Sequence, residues 1–158
     1  MEPRPKDPTL DLALQCVEAL RRAYGDKGEV PKKFRSRCRS LIESIYYSGL
    51  TYTLAYIASK AGSMALENAL KANSLEDIIK CAKEIGQSDE ASYALYGSFL
   101  LASLKRLGAP EVASAESLLK VLENLNTSAT LPITEEKALS FAEWLKRLAE
   151  ALFEAEQP

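Results

Sequence analysis

Histidine is absent from this 158-residue chain, and with it the commonest general base and one of the two usual zinc ligands. Cysteine is scarce: Cys16, Cys38 and Cys81 are far apart and lack any CxxC spacing, so a zinc site has too few ligands. Cys38 and Cys81 fall at apolar helical positions and read as small core residues, while the spacing alone leaves disulfide pairing open. Glycine and proline number only seven each, and stretches rich in Val, Ile and Thr are missing. Sheet is therefore disfavoured. No apolar run approaches the ~18 residues that a membrane-spanning helix requires. The opening Met1-Glu2-Pro3-Arg4-Pro5-Lys6-Asp7-Pro8 is too charged and proline-rich for a signal peptide. It reads as a flexible arm over residues 1–8, and the chain is expected to be cytoplasmic.

What the chain has in abundance is Ala, Leu, Glu, Lys and Ser, within a composition 47 % hydrophobic and 27 % charged. These are helix formers in globular proportions, so the expectation is all-α, a single helical domain over 1–158 built as one bundle of six or seven helices. Net charge is −2, unevenly spread. Residues 1–60 carry 11 basic and 7 acidic side chains, a balance of +4, whereas 61–158 carry 9 and 15, a balance of −6. One region is thus suited to a polyanion on an otherwise acidic molecule.

Periodicity divides the chain. Leu10, Leu14, Val17 and Leu20 predict a helix over about residues 10–24, capped by Thr9 and stopped by Gly25. Pro31 suits the first residue of a second helix. There Phe34, Cys38, Leu41, Ile42 and Ile45 form one apolar stripe. The following stripe, Leu50, Leu54, Ile57 and Ala61, is turned about 130° from it at 100° per residue, so a kink or break is expected at Ser48-Gly49. Further helices are predicted from Ser63, from a capping-box pattern Ser74-Leu75-Glu76-Asp77 to Gly86, and over about 89–107 with Ser88 or Asp89 as cap. Another is predicted from Pro110 through Leu125. After a polar loop, Asn126 to Pro132, a final helix carries Ala138, Phe141, Leu145, Leu148 and Leu152. Thr134-Glu135-Glu136 is expected to cap it and set carboxylates at its positive end.

Catalytic chemistry finds little footing here. The acidic pairs Glu76-Asp77, Asp89-Glu90 and Glu135-Glu136 lie at predicted helix starts, where capping explains them, and no phosphate-binding glycine loop is present. No enzyme, metal or cofactor is expected. The informative polar feature is Lys32-Lys33-Phe34-Arg35-Ser36-Arg37-Cys38-Arg39, five cations in eight residues without an acid. It could be a solvated helix face answered by acids elsewhere, or a phosphate track along a nucleic acid. Tyr46, Tyr47, Tyr52 and Tyr56 could stack on bases, although their helical spacing better suits a core or a subunit interface. Lys146-Arg147 is similarly open, since Glu143 can pair with Arg147 one turn on.

Two stretches resemble a known family. Ser48-Gly49-Leu50-Thr51-Tyr52-Thr53-Leu54-Ala55-Tyr56-Ile57-Ala58-Ser59-Lys60 is similar to the GLxxxLAFxxSK segment of the Cmr small-subunit family, from type III-B CRISPR effector complexes. Glu143-Trp144-Leu145-Lys146-Arg147-Leu148-Ala149-Glu150-Ala151-Leu152 resembles that family's carboxy-terminal EWLKRFAEAL helix. Tyr56 and Leu148 depart from it where phenylalanine is common. The resemblance implies a non-catalytic, all-α subunit in an antiviral ribonucleoprotein. Several copies would stack beside the backbone that holds the CRISPR RNA and the large polymerase/cyclase-like subunit, with basic surfaces lining the channel for target RNA. It makes Lys32, Lys33, Arg35, Arg37, Arg39, Lys60, Lys146 and Arg147 the candidate RNA-facing residues. The alternative is a helical adaptor whose basic face binds an acidic protein.

Overall fold

A computed structural model describes residues 2–157. Among them are nine helices and no strand: α1 Pro8–Tyr24, α2 Glu29–Ser48, α3 Leu50–Ala61, α4 Ser63–Lys71, α5 Leu75–Lys83, α6 Ser88–Arg106, α7 Pro110–Ala113, α8 Leu118–Thr127 and α9 Leu131–Leu152. The count exceeds the six or seven expected because two predicted helices are each divided. Gly49 ends α2 rather than bending it. Its φ of 90° and ψ of 163° lie in a region essentially reserved for glycine, and it closes one helix while opening the next. Its amide donates to the Ile45 carbonyl, and its own carbonyl accepts from Thr53. The helix expected from Pro110 to Leu125 likewise breaks at residues 114–117. There the Ser117 hydroxyl accepts from the Lys120 amide and opens α8 as its cap.

The organising element is α6. Every residue from Ala91 to Leu101 is buried, so this helix has no solvent face. Helices α1, α2, α3, α4, α5, α7 and α9 all pack against it. Gly97 makes the closest approach: a Cβ there would lie 2.5 Å from Leu66 Cδ2 and 2.7 Å from Ile57 Cγ2. The small residue is what lets α3 and α4 come this near. On the opposite side, α9 fills the space between α1 and α2. Phe34 pins α2 over the centre, with its ring 5.8 Å edge-on to Phe99 and 6.3 Å from Phe153.

Several helix ends differ from expectation. Asp7, not Thr9, caps α1, its carboxylate accepting from the Thr9 and Leu10 amides, and the helix begins at Pro8. Pro31 is the third residue of α2, still within the first turn, where no amide is missed. Helix α5 stops at Lys83, before Gly86. Neither Ser88 nor Asp89 caps α6: Ser88 is already the first helical residue, after Gln87, and the carboxylate of Asp89 is engaged by α2. The last loop shrinks to residues 128–130, and α9 starts at Leu131. Thr134 and Glu135 are therefore inside α9, where Thr134 donates to the Glu111 carboxylate and Glu135 caps a different helix. All three cysteines are free; Cys16 and Cys38 are buried, but Cys81 is half-buried, because it borders a shallow cavity between α4 and α5.

Candidate nucleic-acid interface

The basic run lies on α2, whose buried stripe of Phe34, Cys38, Leu41 and Ile45 fixes where each cation can point. Lys33 and Arg37, one turn apart, both reach Asp89 at the start of α6; Lys33 Nζ is 3.6 Å from it. Arg37 Nε also donates to Ser92 Oγ at 3.2 Å, and its guanidinium lies 4.2 Å above the Tyr93 ring. Lys32 turns toward Glu29 and Glu154. Arg39 reaches Glu150 at 3.5 Å, and Arg147 meets the same Glu150 at 3.3 Å and Glu143 at 3.1 Å. Five of the eight candidate cations are thus answered by acids of the same chain. The other three, Arg35, Lys60 and Lys146, have no acid within ion-pair distance among the described residues.

The eight do not form one track. Arg37 and Lys60 are joined through aromatic rings, and Lys33 joins Arg37 through their shared Asp89. Lys60 Nζ stands 5.5 Å over Tyr56, Tyr56 packs 6.1 Å edge-on to Tyr93, and Tyr93 carries Arg37. Tyr52, largely exposed, lies near-parallel to Tyr56 at 6.4 Å. This ladder crosses α2, α3 and α6 and presents π-faces beside cations, the combination that holds single strands without reading sequence. Arg39 and Arg147 form a second group around Glu150 on the α2–α9 seam. The roles of Tyr93 as the seat of Arg37, and of Asp89 and Glu150 as partners of α2, escaped the sequence reading. Asp89 follows Arg37 by 52 residues, and no local pattern announces so distant a partner.

Glu135 proves to serve a different helix from its own. Its Oε2 accepts the Leu50 amide at 2.8 Å and so caps α3 across the fold, beside Gly49. The same junction orients Lys60 at the far end of α3. Burial pushes the Cys16 thiol up to about 12 and Cys38 well above its ordinary value, so neither supplies a thiolate. Among the described residues no cluster of three or more Cys, Asp or Glu could hold a metal ion, and no helix is long and apolar enough to cross a membrane.

Comparison with known proteins gives this helical arrangement its relatives. Residues 8–152 match the model of the family described as CRISPR-associated protein (Cas_Cmr5). The chain belongs to that family. A Cas_Cmr5 relative from Saccharolobus solfataricus, the CRISPR system CMR subunit Cmr5, is 34% identical over 149 residues, covering 90% of this chain and 92% of the relative. A chain in the cryo-EM structure of the type III-B Cmr-beta complex bound to non-cognate target RNA superposes with a TM-score of 0.74. It is 28% identical and matched over its whole length, 96% of this chain being covered. A chain in the complex bound to cognate target RNA and AMPPnP superposes at 0.65, with 27% identity over 94% of this chain and 97% of that one.

Proposed function

We propose that this chain is the non-catalytic small subunit of a cytoplasmic type III-B CRISPR effector complex, stacking in more than one copy and lending cations to the channel for guide and target RNA. The observation that carries the reading is the whole-length likeness to chains resident in RNA-bound type III-B complexes. The partners are then the other Cmr subunits, further copies of the chain, the CRISPR RNA and its target. Buried, protonated thiols and a sequence without histidine support a role outside catalysis. Of the candidate cations, Arg35, Lys60 and Lys146 have charges no described acid answers, and Arg37 and Lys60 sit on the tyrosine ladder. Contacts this weak become effective when an assembly already holds the strand in place.

The test is salt-dependent target-RNA capture by the assembled complex carrying the triple change Arg35→Glu, Lys60→Glu, Lys146→Glu. Three lost phosphate contacts should flatten the slope of log affinity against log salt by about 2. An unchanged slope, with the variant still incorporated, overturns the RNA-facing assignment and leaves these cations to an acidic protein neighbour.

A further inference from the structure

Opposite the tyrosine ladder, a groove of about 1010 Å3 runs between the start of α1, the second half of α2 and one face of α9. Its apolar surface is unusually bare: Tyr47 is 81% exposed, Tyr46 69% and Ile133 56%, with Trp144 partly open at one end. Its rim is acidic, and two of those acids, Glu43 and Glu136, meet no cation of the described chain. Lys137, the cation on the wall, donates instead to the Leu107 carbonyl at 3.1 Å. Bare aromatic rings between unanswered carboxylates fit a basic segment with a preformed extended backbone.

The chain owns such a segment. Glu2-Pro3-Arg4-Pro5-Lys6 precedes the first helix, and its alternate prolines favour the polyproline II conformation. Over these five residues it spans about 16 Å at 3.1 Å each. The groove along α9, from Ile133 to Trp144, covers twelve residues at 1.5 Å each, about 18 Å, long enough to take the segment. Length, charge and ring surface therefore agree. Yet the arm does not enter its own groove. It is exposed throughout and none of residues 2–6 lines the wall. It leaves from the rim, where Trp144 Nε1 donates to Asp7 Oδ2 at 3.2 Å while the same residue caps α1.

We propose that the groove is a docking site for the proline-rich basic arm of a second copy of this chain, with Arg4 and Lys6 meeting Glu43 and Glu136 and Pro3 and Pro5 set against Tyr46, Tyr47 and Trp144. An arm rooted at the rim of one groove and free of it is placed to cross into the groove of a neighbour. The site names the contact by which copies associate, and so rests on the stacking role proposed above.

Sedimentation mass of the full-length chain across concentration tests it, using Arg4→Glu with Lys6→Glu, Glu43→Lys with Glu136→Lys, and the four changes together. Each pair should weaken self-association about tenfold or more by setting like charges face to face, and the fourfold swap should restore it to within about threefold. A wild-type chain monomeric to about 200 µM overturns the proposal. Indifference to the arm reversal, or no rescue by the swap, overturns it too. Incorporation of the same variants into the Cmr complex is followed in parallel. Self-association that obeys the swap in a chain the complex does not accept would remove the functional reading and leave the arm contact standing. Incorporation of chains whose association ignores the swap would do the reverse.

Discussion

Where the first turns of α9 meet the α2–α3 junction and α7, carboxylates are employed inside the chain; where the same turns line the groove beside α1 and α2, Glu136 is not. Glu135 spends its charge on the Leu50 amide, and Glu111 accepts from Thr134 at 2.6 Å, Ser128 at 2.7 Å and Thr130 at 2.9 Å. Glu136, the neighbour of Glu135 in sequence, faces the groove with no described partner. Adjacent acids can thus hold a fold together or wait for another molecule, and only their helical direction decides which. The same division runs along α2, where Arg37 is locked into the interior network and Arg35 is not.

The largest effect should come from Glu111, the most buried of these acids. Burial pushes its carboxyl up, but the hydrogen bonds from Thr134, Ser128 and Thr130, with one from its own backbone, outweigh this and hold it below the usual glutamate value. Glu111→Ala should cost about 2–4 kcal/mol in urea denaturation, since it strands three hydroxyls and removes a charge-assisted network. Because the folded value is depressed, the stabilisation is present above the unfolded-state value and fades as pH falls through the folded one. Glu111→Gln should therefore flatten the acid limb of the stability profile, and an unaltered limb would assign the acid sensitivity to other groups.

Gly49→Ala comes next, at about 1–3 kcal/mol, because the new side chain must accept a glycine-only backbone conformation. It also brings a Cβ to 3.2 Å from Glu135 Oε2. If thermal unfolding shows no loss, the α2–α3 junction has room to rearrange. The smallest contrast is between neighbours. Glu135→Ala should cost about 1 kcal/mol as a lost helix cap, while Glu136→Ala should stay within about 0.5 kcal/mol. Equal losses would erase the distinction between the two flanks of α9.

Much of this architecture was legible from periodicity. The phase change between the Phe34–Ile45 and Leu50–Ala61 stripes located the break at Gly49, and the alternation through Phe141, Leu145, Leu148 and Leu152 located α9. The start of α9 was misplaced because Thr134 and Glu135 have capping chemistry but use it across the fold, on Glu111 and Leu50. The break between α7 and α8 was missed because apolar spacing continues through a serine-bearing turn. For the candidate interface, the sequence located the cations and the local pair Glu143–Arg147, but not the distant counterparts. Asp89 and Glu150 answer α2 only after the chain has folded back on itself, and a run of like charges does not encode that return.

The enclosure of α6 bears on how the molecule comes apart. A helix packed by seven others cannot lose its surroundings piecemeal without exposing apolar surface on all sides. Its backbone amides should therefore be among the slowest in the chain to exchange with solvent, at a rate governed by global unfolding, whereas the ends of α4 and α5 can open locally. Most partners of α6 also lie far from it in sequence, so the central helix is completed by the chain segments that flank it on either side. Folding of the two halves is thereby coupled into a single cooperative event.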